Sequence, residues 1–262
     1  MYHLYKGLHI LYWTIGGLCI VTAAVWALFY PKQAVYCAIL MSVIIISSMI
    51  ILSLIAKRRF KDEVMSSLYN CHTREYLEKL DFRMKKNKRA LNNMGTLSLY
   101  NCLKALGYNV LGDYDTSFQY AQNVLSKSHF IEKYKLTIDY YIEKEEYSLA
   151  RNDINKLKEL IPSVKSADYK KKLERFVLQR ELWINIKQGN YKGAEEFYTE
   201  EVFDCSKEVM VTKVSYYTSL GEILFLKGKT EEAADYLRFA AENGGDTKYQ
   251  AISAQLLSKL TS

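Results

Sequence analysis

The chain has 262 residues, which allows one large domain or two smaller ones, and only 2 prolines interrupt it, which favours long helices. Its formal net charge is +7, but residues 1–61 contain six lysines or arginines and no acidic residue, so the other 201 residues carry only +1. Because a nucleic-acid-binding domain concentrates basic residues on a folded face, this distribution argues against a nucleic-acid partner.

Two uncharged apolar runs near the N-terminus predict a transmembrane helical hairpin, which with its basic flank forms a predicted domain over residues 1–61. The runs cover residues 8–30 and 34–56, 23 residues each, with Pro31-Lys32-Gln33 between them. A helix of that length is about 34 Å long, enough to cross a bilayer core of roughly 30 Å. The alternatives are a cleaved signal peptide for the first run, or a buried hairpin of a soluble core.

Flanking basic residues predict how this hairpin is oriented. Lys6 and the basic stretch after the second run flank one side, whereas Lys32 alone flanks the other. Since lysine and arginine accumulate on the cytoplasmic side, we expect a multi-pass protein of the plasma membrane with both termini in the cytoplasm. The residues expected to contact lipid headgroups are Lys57, Arg58, Arg59 and Lys61.

Residues 62–97 are predicted to form a stalk helix and then half of a helical repeat. Residues 57–70 would continue the second span, and "HTREYLEKLDFRMKKN" from His72 carries a helical apolar stripe. The basic run "RMKKNKR" at 83–89 lies close to this stalk. It is interpreted either as a solvated helix end or as a contact with anionic lipid.

Residues 98–247 repeat one helix–turn–helix pattern four times. The best copy is "YYTSLGEILFLKGKTEEAADYLRFA", and the turn positions of the four copies are 33, 44 and 39 residues apart. Glycine is favoured at such a turn because it reaches positive φ without a Cβ clash, so Glu145 departs from the pattern. The turn residues are Gly112, Glu145, Gly189 and Gly228, and the small residues that follow each turn are Ser117, Ala150, Ala194 and Ala233.

This pattern resembles the tetratricopeptide repeat, a helix–turn–helix unit whose consensus has small residues at its eighth and twentieth positions, where the two helices touch. Ile138 and Leu182 are large residues at the eighth position, so their pairs should be tilted or further apart. The spacing of 44 predicts a long helix over about 166–187, and Pro162 falls where the consensus ends a helix.

The resemblance implies an all-α fold. We expect a transmembrane hairpin followed by a tetratricopeptide-like α-solenoid of about four helix pairs with flanking helices. Residues 248–262, which include the amphipathic "YQAISAQLLSKL", are expected to cap the last repeat, because each repeat of such an array buries its apolar face only on its neighbours.

The resemblance also implies a concave face lined by the first helix of each pair. A partner segment would be held there by a few aromatic or charged anchors, and Trp183 is the predicted main anchor; the alternative is that Trp183 packs between repeats. Relatives that clamp a terminal carboxylate use lysine and asparagine where this chain has Cys102 and Leu106, so that clamp is not expected. The expected groove residues are Asn109, Lys135, Asp139, Gln179, Trp183, Thr218, Glu222 and Phe225.

Motifs for catalysis or cofactor binding do not occur in the sequence. The four histidines are dispersed, no H-E-x-x-H, G-x-S-x-G or phosphate loop is present, and none of the five cysteines forms a C-x-x-C pair. We therefore predict neither an enzyme nor a metal or cofactor site, and expect reduced intracellular thiols.

Taken together, these patterns favour a membrane-anchored, cytoplasm-facing adaptor or scaffold of bacterial type, an accessory subunit of a membrane complex. Its expected partners are another protein or peptide segment and the lipid bilayer. The alternative is a membrane-tethered domain that senses a peptide, which would need a deeper, closed groove. An enzyme would need a polar cluster that the sequence does not show.

Overall fold

The structure is a computed structural model that describes residues 6–86 and 88–260. All regular secondary structure in these residues is helical. The ends of the predicted segments 1–61 and 248–262, and Asn87 in the basic run, lie outside the described residues. Two compact units are present, one formed by described residues up to 65 with 79–96, the other by 66–78 with those from 97 onward.

The first unit contains the two apolar helices. Helix α1 covers Lys6–Phe29, a 3₁₀ turn covers Pro31–Gln33, and α2 covers Ala34–Phe60 and packs against α1. A π-helical turn at Lys61–Met65 then continues the helical path of α2.

Both apolar helices are long enough to cross a membrane. Within the described ranges, two helical stretches meet this condition by length and composition, Ile10–Phe29 with mean hydropathy 1.8 and Val35–Tyr69 with 2.8. Only 6% of the residues in the most apolar window of each are buried. A core helix of a soluble protein would be mostly buried, so the buried-hairpin interpretation is not supported.

Hydroxyl groups on these helices bond to the helices themselves. Thr14, Thr22 and Ser42 each donate to the backbone carbonyl four residues earlier, at 2.8–3.0 Å. A polar group in hydrocarbon must find its partner within the protein. These bonds therefore suit helix faces that meet lipid.

The other helices follow in chain order and belong to the second unit, except for residues 79–96 at the end of α4 and the start of α5. They are α3 (Ser66–Tyr69), α4 (Thr73–Lys86), α5 (Met94–Leu111), α6 (Tyr114–Gln122), α7 (Phe130–Glu143), α8 (Tyr147–Leu160), α9 (Ala167–Lys187), α10 (Ala194–Asp204), α11 (Met210–Leu226), α12 (Thr230–Asn243) and α13 (Lys248–Leu260).

Each predicted turn has its residue at positive φ. Gly112, Gly189 and Gly228 have φ of 87°, 81° and 77°, and Glu145 has φ of 59°. The backbone of Glu145 therefore adopts the same left-handed conformation as the glycines, although its side chain makes that conformation costly. The turns join α5 to α6, α7 to α8, α9 to α10 and α11 to α12.

The small residue after each turn lies where two helices touch. Ser117, Ala150, Ala194 and Ala233 are at most 1% exposed. In the last pair, a Cβ added to Gly221 would lie 2.7 Å from Leu237 Cδ2, so α11 and α12 approach too closely there for a larger residue. Small residues thus set the distance between paired helices.

The predicted long helix is confirmed. Helix α9 covers Ala167–Lys187, and the Ser166 side chain accepts a hydrogen bond from Tyr169 N at 3.3 Å, which caps its N-terminus. Helix α8 ends at Leu160, and Pro162 lies in the 3₁₀ turn that follows, as its missing N–H requires.

A contact that the sequence did not predict joins the two ends of the second unit; we call its residues Cys71, Thr73, Arg74, Gly245 and Asp246 the end clasp. The Asp246 carboxylate accepts hydrogen bonds from the backbone N–H of Thr73 at 2.6 Å and Arg74 at 2.8 Å. Asp246 N donates to Cys71 O at 3.1 Å. The N-terminus of α4 is therefore capped by a residue more than 170 positions later.

Candidate functional site

A cleft of about 530 Å³ opens in the second unit. It is lined by α7, α9, α11 and α13 and by the turn between α5 and α6. This volume lies within the usual range for ligand pockets, roughly 300–1,000 Å³. Helix α13 packs against α11 and α12, and it also forms one wall of the cleft.

The structure brings five of the expected groove residues into this cleft and leaves three outside its lining. Asn109 is buried, Lys135 pairs with Glu132 at 2.9 Å, and Phe225 packs against the apolar core around α11. The residues that line the cleft are Asp139, Gln179, Trp183, Thr218 and Glu222.

The residues expected to contact lipid belong to the first unit. Their side chains are exposed, and Arg58 lies 3.9 Å from Asp62 one helical turn later. The residues are Lys57, Arg58, Arg59 and Lys61.

One group of charges in the cleft is bonded. The Arg180 guanidinium donates from Nε and Nη2 to both oxygens of Asp139, and Asn109 Nδ2 donates to Asp139 Oδ2 at 3.3 Å. Burial alone would lower the pKa of Arg180, but the Asp139 carboxylate outweighs burial and the pKa is raised. Removal of either partner would leave a poorly solvated charge.

Lys248 connects the cleft wall of α13 to α5. Its Nζ donates to Asn109 Oδ1 at 3.0 Å and lies 4.5 Å from the centroid of the Tyr114 ring. The face of the Tyr114 ring therefore attracts the Lys248 ammonium by a cation–π interaction. This contact joins α13 to α5, whereas none of the end-clasp residues lines the cleft.

A second group of charges in the cleft is not bonded. Glu143 is the last residue of α7, Lys187 the last of α9, and Glu222 lies one turn before the end of α11. None of the three makes a hydrogen bond or ion pair within the part of the chain that the structure describes. Burial raises the pKa of the Glu222 carboxyl, Lys187 opposes that shift, and Glu143 adds to it.

Trp183 both packs and faces the cleft. Its ring meets the Tyr198 ring edge to face at a centroid distance of 6.0 Å, and it contacts the apolar cluster of α10, α11 and α12. It also lines the cleft. The two predicted roles of Trp183, anchor and packing residue, are thus compatible in one side chain.

Two buried cysteine thiols, Cys71 and Cys102, are poorly suited to nucleophilic chemistry. Burial raises the pKa of Cys71 to about 11 and that of Cys102 to about 12. The thiolate is the reactive form of cysteine, and a raised pKa makes it scarce at neutral pH.

Among the described residues, no group of three or more histidine, cysteine or acidic side chains could hold a metal ion.

The cleft contains residues that the sequence pattern missed. Glu143 and Lys187 lie four positions after the expected Asp139 and Trp183, which is one more turn along the same helix face, so the helical period could have found them. Lys248 carried no such signal, because its bonding partner Asn109 lies 139 positions earlier in the chain.

No family model matches the chain, and neither a curated protein nor a solved structure matches it. A function for this chain must therefore be inferred from the cleft and the helices that line it.

Proposed function

We propose that the chain is a membrane-anchored, cytoplasm-facing adaptor that holds a segment of another protein in the cleft, as an accessory subunit of a membrane complex. The observation that carries this proposal is the cleft itself. It combines an aromatic ring, Trp183, with charged side chains that have no partner within the described chain, Glu143, Lys187 and Glu222. A few well-packed side chains, tryptophan prominent among them, supply most of the affinity at protein interfaces, and Trp183 is a side chain of this kind.

The repeat architecture that we propose is an α-solenoid of tetratricopeptide type. It is supported by positive φ at each predicted turn and by the burial of each small residue that follows a turn. A helix pair of this type needs both features, because the turn reverses the chain within few residues and the small residue lets the helices touch.

Membrane anchoring is proposed from α1 and α2. Both are long, apolar and little buried, and the hydroxyl groups of Thr14, Thr22 and Ser42 have partners on their own helix. The basic residues cluster after α2, whereas the turn between the helices carries only Lys32. This asymmetry supports a cytoplasmic location for both termini and for the cleft.

One observation favours the alternative, a membrane-tethered domain that senses a short peptide. Helix α13 forms a wall of the cleft, and the bond from Lys248 to Asn109 joins that wall to α5. A cleft bounded in this way suits a ligand of a few residues better than a long segment that lies across it.

A photo-crosslinking amino acid placed at Gln179 would test the adaptor proposal in intact membranes. Gln179 lines the cleft, whereas its neighbour Leu178 is 47% exposed outside the lining and provides a matched control. We expect a discrete protein adduct from position 179 that is absent from position 178. An adduct of only a few residues would support the sensor, and equal adducts or none at both positions would contradict binding in the cleft.

A further inference from the structure

The charged residues of the cleft differ in how well they are satisfied. Asp139 has Arg180 and Asn109 as partners, and Lys248 has Asn109 together with the Tyr114 ring. Glu143, Lys187 and Glu222 make no hydrogen bond or ion pair with any described residue. Glu143 and Lys187 are exposed, so water can solvate their charges, whereas Glu222 is only partly exposed and has neither a partner nor full solvation.

Two of these unbonded residues, Lys187 and Glu143, act on the third, Glu222. The charges of Lys187 and Glu143 both influence Glu222, yet no nitrogen of Lys187 lies within the 4.0 Å of an ion pair with either carboxylate. Two carboxylates and one ammonium leave this part of the cleft with one uncompensated negative charge.

Glu222 is placed where its charge is costly. Its side chain is only partly exposed, and burial works against the ionised form. A carboxylate that loses water without gaining a hydrogen bond raises the free energy of the folded state. A cationic group from outside the chain would offset that cost when it binds.

The surroundings of Glu222 also suit an aliphatic stem. Trp183, one turn before Lys187, lines the cleft together with Ile142 and Leu256. Lysine and arginine side chains place their methylene groups on apolar surface and keep the cationic head on a polar partner. An aromatic face nearby adds cation–π attraction.

We infer that the cleft recognises a lysine or arginine side chain of a short peptide segment, with the cationic head on Glu222 and Glu143 and the stem on Trp183. This inference rests on the proposed function, because it takes the ligand to be a protein segment. It goes beyond that function by assigning the chemistry of the anchor residue.

An acidic anchor is a poorer fit. Of the four cations that line the cleft, Arg180, Lys248 and Lys259 already have interactions within the described chain. Lys187 is the one that stays unbonded, but an acidic side chain there would meet the repulsion of two carboxylates. Charge complementarity therefore selects a basic side chain.

The test uses the purified full chain in lipid nanodiscs and a positional-scanning hexapeptide library. The peptides are acetylated and amidated, so that only side chains carry charge, and the retained peptides are quantified by mass spectrometry. We compare the wild-type chain with Glu222→Gln and with the control Glu174→Gln. Glu174 is an exposed carboxylate of α9 that does not line the cleft.

For the wild type and Glu174→Gln, we expect peptides with lysine or arginine at one position to be retained at least about tenfold more than peptides with aspartate or glutamate there. We expect Glu222→Gln to lose this preference. Equal preference in Glu222→Gln, or enrichment of acidic or uncharged residues, would overturn the basic anchor but leave a peptide-binding cleft. Retention of no peptide by any variant would overturn both. An unchanged melting temperature of Glu222→Gln, or a higher one, establishes that the variant is folded.

Discussion

At the scale of single residues, backbone conformation explains an apparent exception in the repeat pattern. Glu145 takes φ of 59°, within 30° of the three glycines at equivalent turns. A residue with a Cβ in this region costs roughly 1–2 kcal/mol relative to the right-handed conformation, whereas glycine carries no such cost. The Glu145 side chain therefore lowers the free energy of unfolding relative to glycine at this turn.

Glu145→Gly should therefore stabilise the chain, by up to about 1 kcal/mol, because glycine relieves the strain. The reciprocal change Gly228→Ala should destabilise it by about 1 kcal/mol, since an added Cβ meets nothing within 4 Å and only backbone strain remains. Both effects are measured by denaturant unfolding followed by circular dichroism. Loss of stability in Glu145→Gly would contradict the strained turn.

The second residue-scale prediction concerns Glu222 and pH. Its pKa is raised in the folded state, so the folded chain holds this proton at pH values where the unfolded chain has released it. Stability is thus unaffected below the ordinary pKa of glutamate and falls as pH rises through the raised one. Glu222→Gln removes this loss.

We expect Glu222→Gln to melt above the wild type at about pH 7.5 and together with it at about pH 4. Differential scanning calorimetry of the two chains at both pH values measures the difference, and Glu174→Gln serves as the exposed control. A wild-type chain that is more stable than Glu222→Gln at neutral pH would show that the carboxylate has a bonding partner.

At the scale of helices, the distance between paired helices depends on small buried residues. Ala233 is fully buried. If a Cβ were added to Gly221 on the facing helix, it would lie 3.4 Å from the carbonyl oxygen of Ala233. Close packing leaves no room for a larger side chain here. The adjacent Ala234 is only partly buried.

Ala233→Leu should force α11 and α12 apart and cost about 1–3 kcal/mol by overpacking. Ala234→Leu, one position further along the same helix, should change stability by less than about 0.5 kcal/mol, the usual effect of a substitution near the surface. Thermal unfolding of both variants separates the effect of position from that of the leucine. Equal melting temperatures would mean that α12 faces α11 with another side.

The end clasp provides a further element-scale prediction. Asp246→Ala should cost about 0.5–2 kcal/mol, the usual range for loss of a helix N-cap, and expose two backbone donors at the start of α4. Hydrogen exchange at the amides of Thr73 and Arg74 should become faster than in the wild type. Unchanged exchange at both amides would contradict the bonds from Asp246.

The helices, their turns and the long α9 could be predicted from the sequence because each depends on residues close in the chain. The helical period and the turn positions determine them locally. Five residues that line the cleft were expected from their positions in the repeat that the sequence resembles. The end clasp and the role of Lys248 could not be predicted, because they join residues more than 100 positions apart and depend on how distant helices pack together.

At the scale of the whole molecule, the orientation in the membrane decides which compartment the cleft would face. A cysteine at Gln33, between α1 and α2, should react with a membrane-impermeant maleimide in intact cells. A cysteine at Lys259, near the end of α13, should react only after the cells are permeabilised. Replacement of the native cysteines gives the background, and the reverse labelling would place both termini outside.

The end clasp also bears on how the second unit folds. In a row of repeats that touch only their neighbours, the outermost pairs can fray one at a time. Here a hydrogen bond joins residues 173 positions apart, so neither end can open without losing contacts to the other. The entropy of closing so long a loop must be overcome before those contacts form, so we expect the end clasp to slow folding and to make the two ends of the unit unfold together.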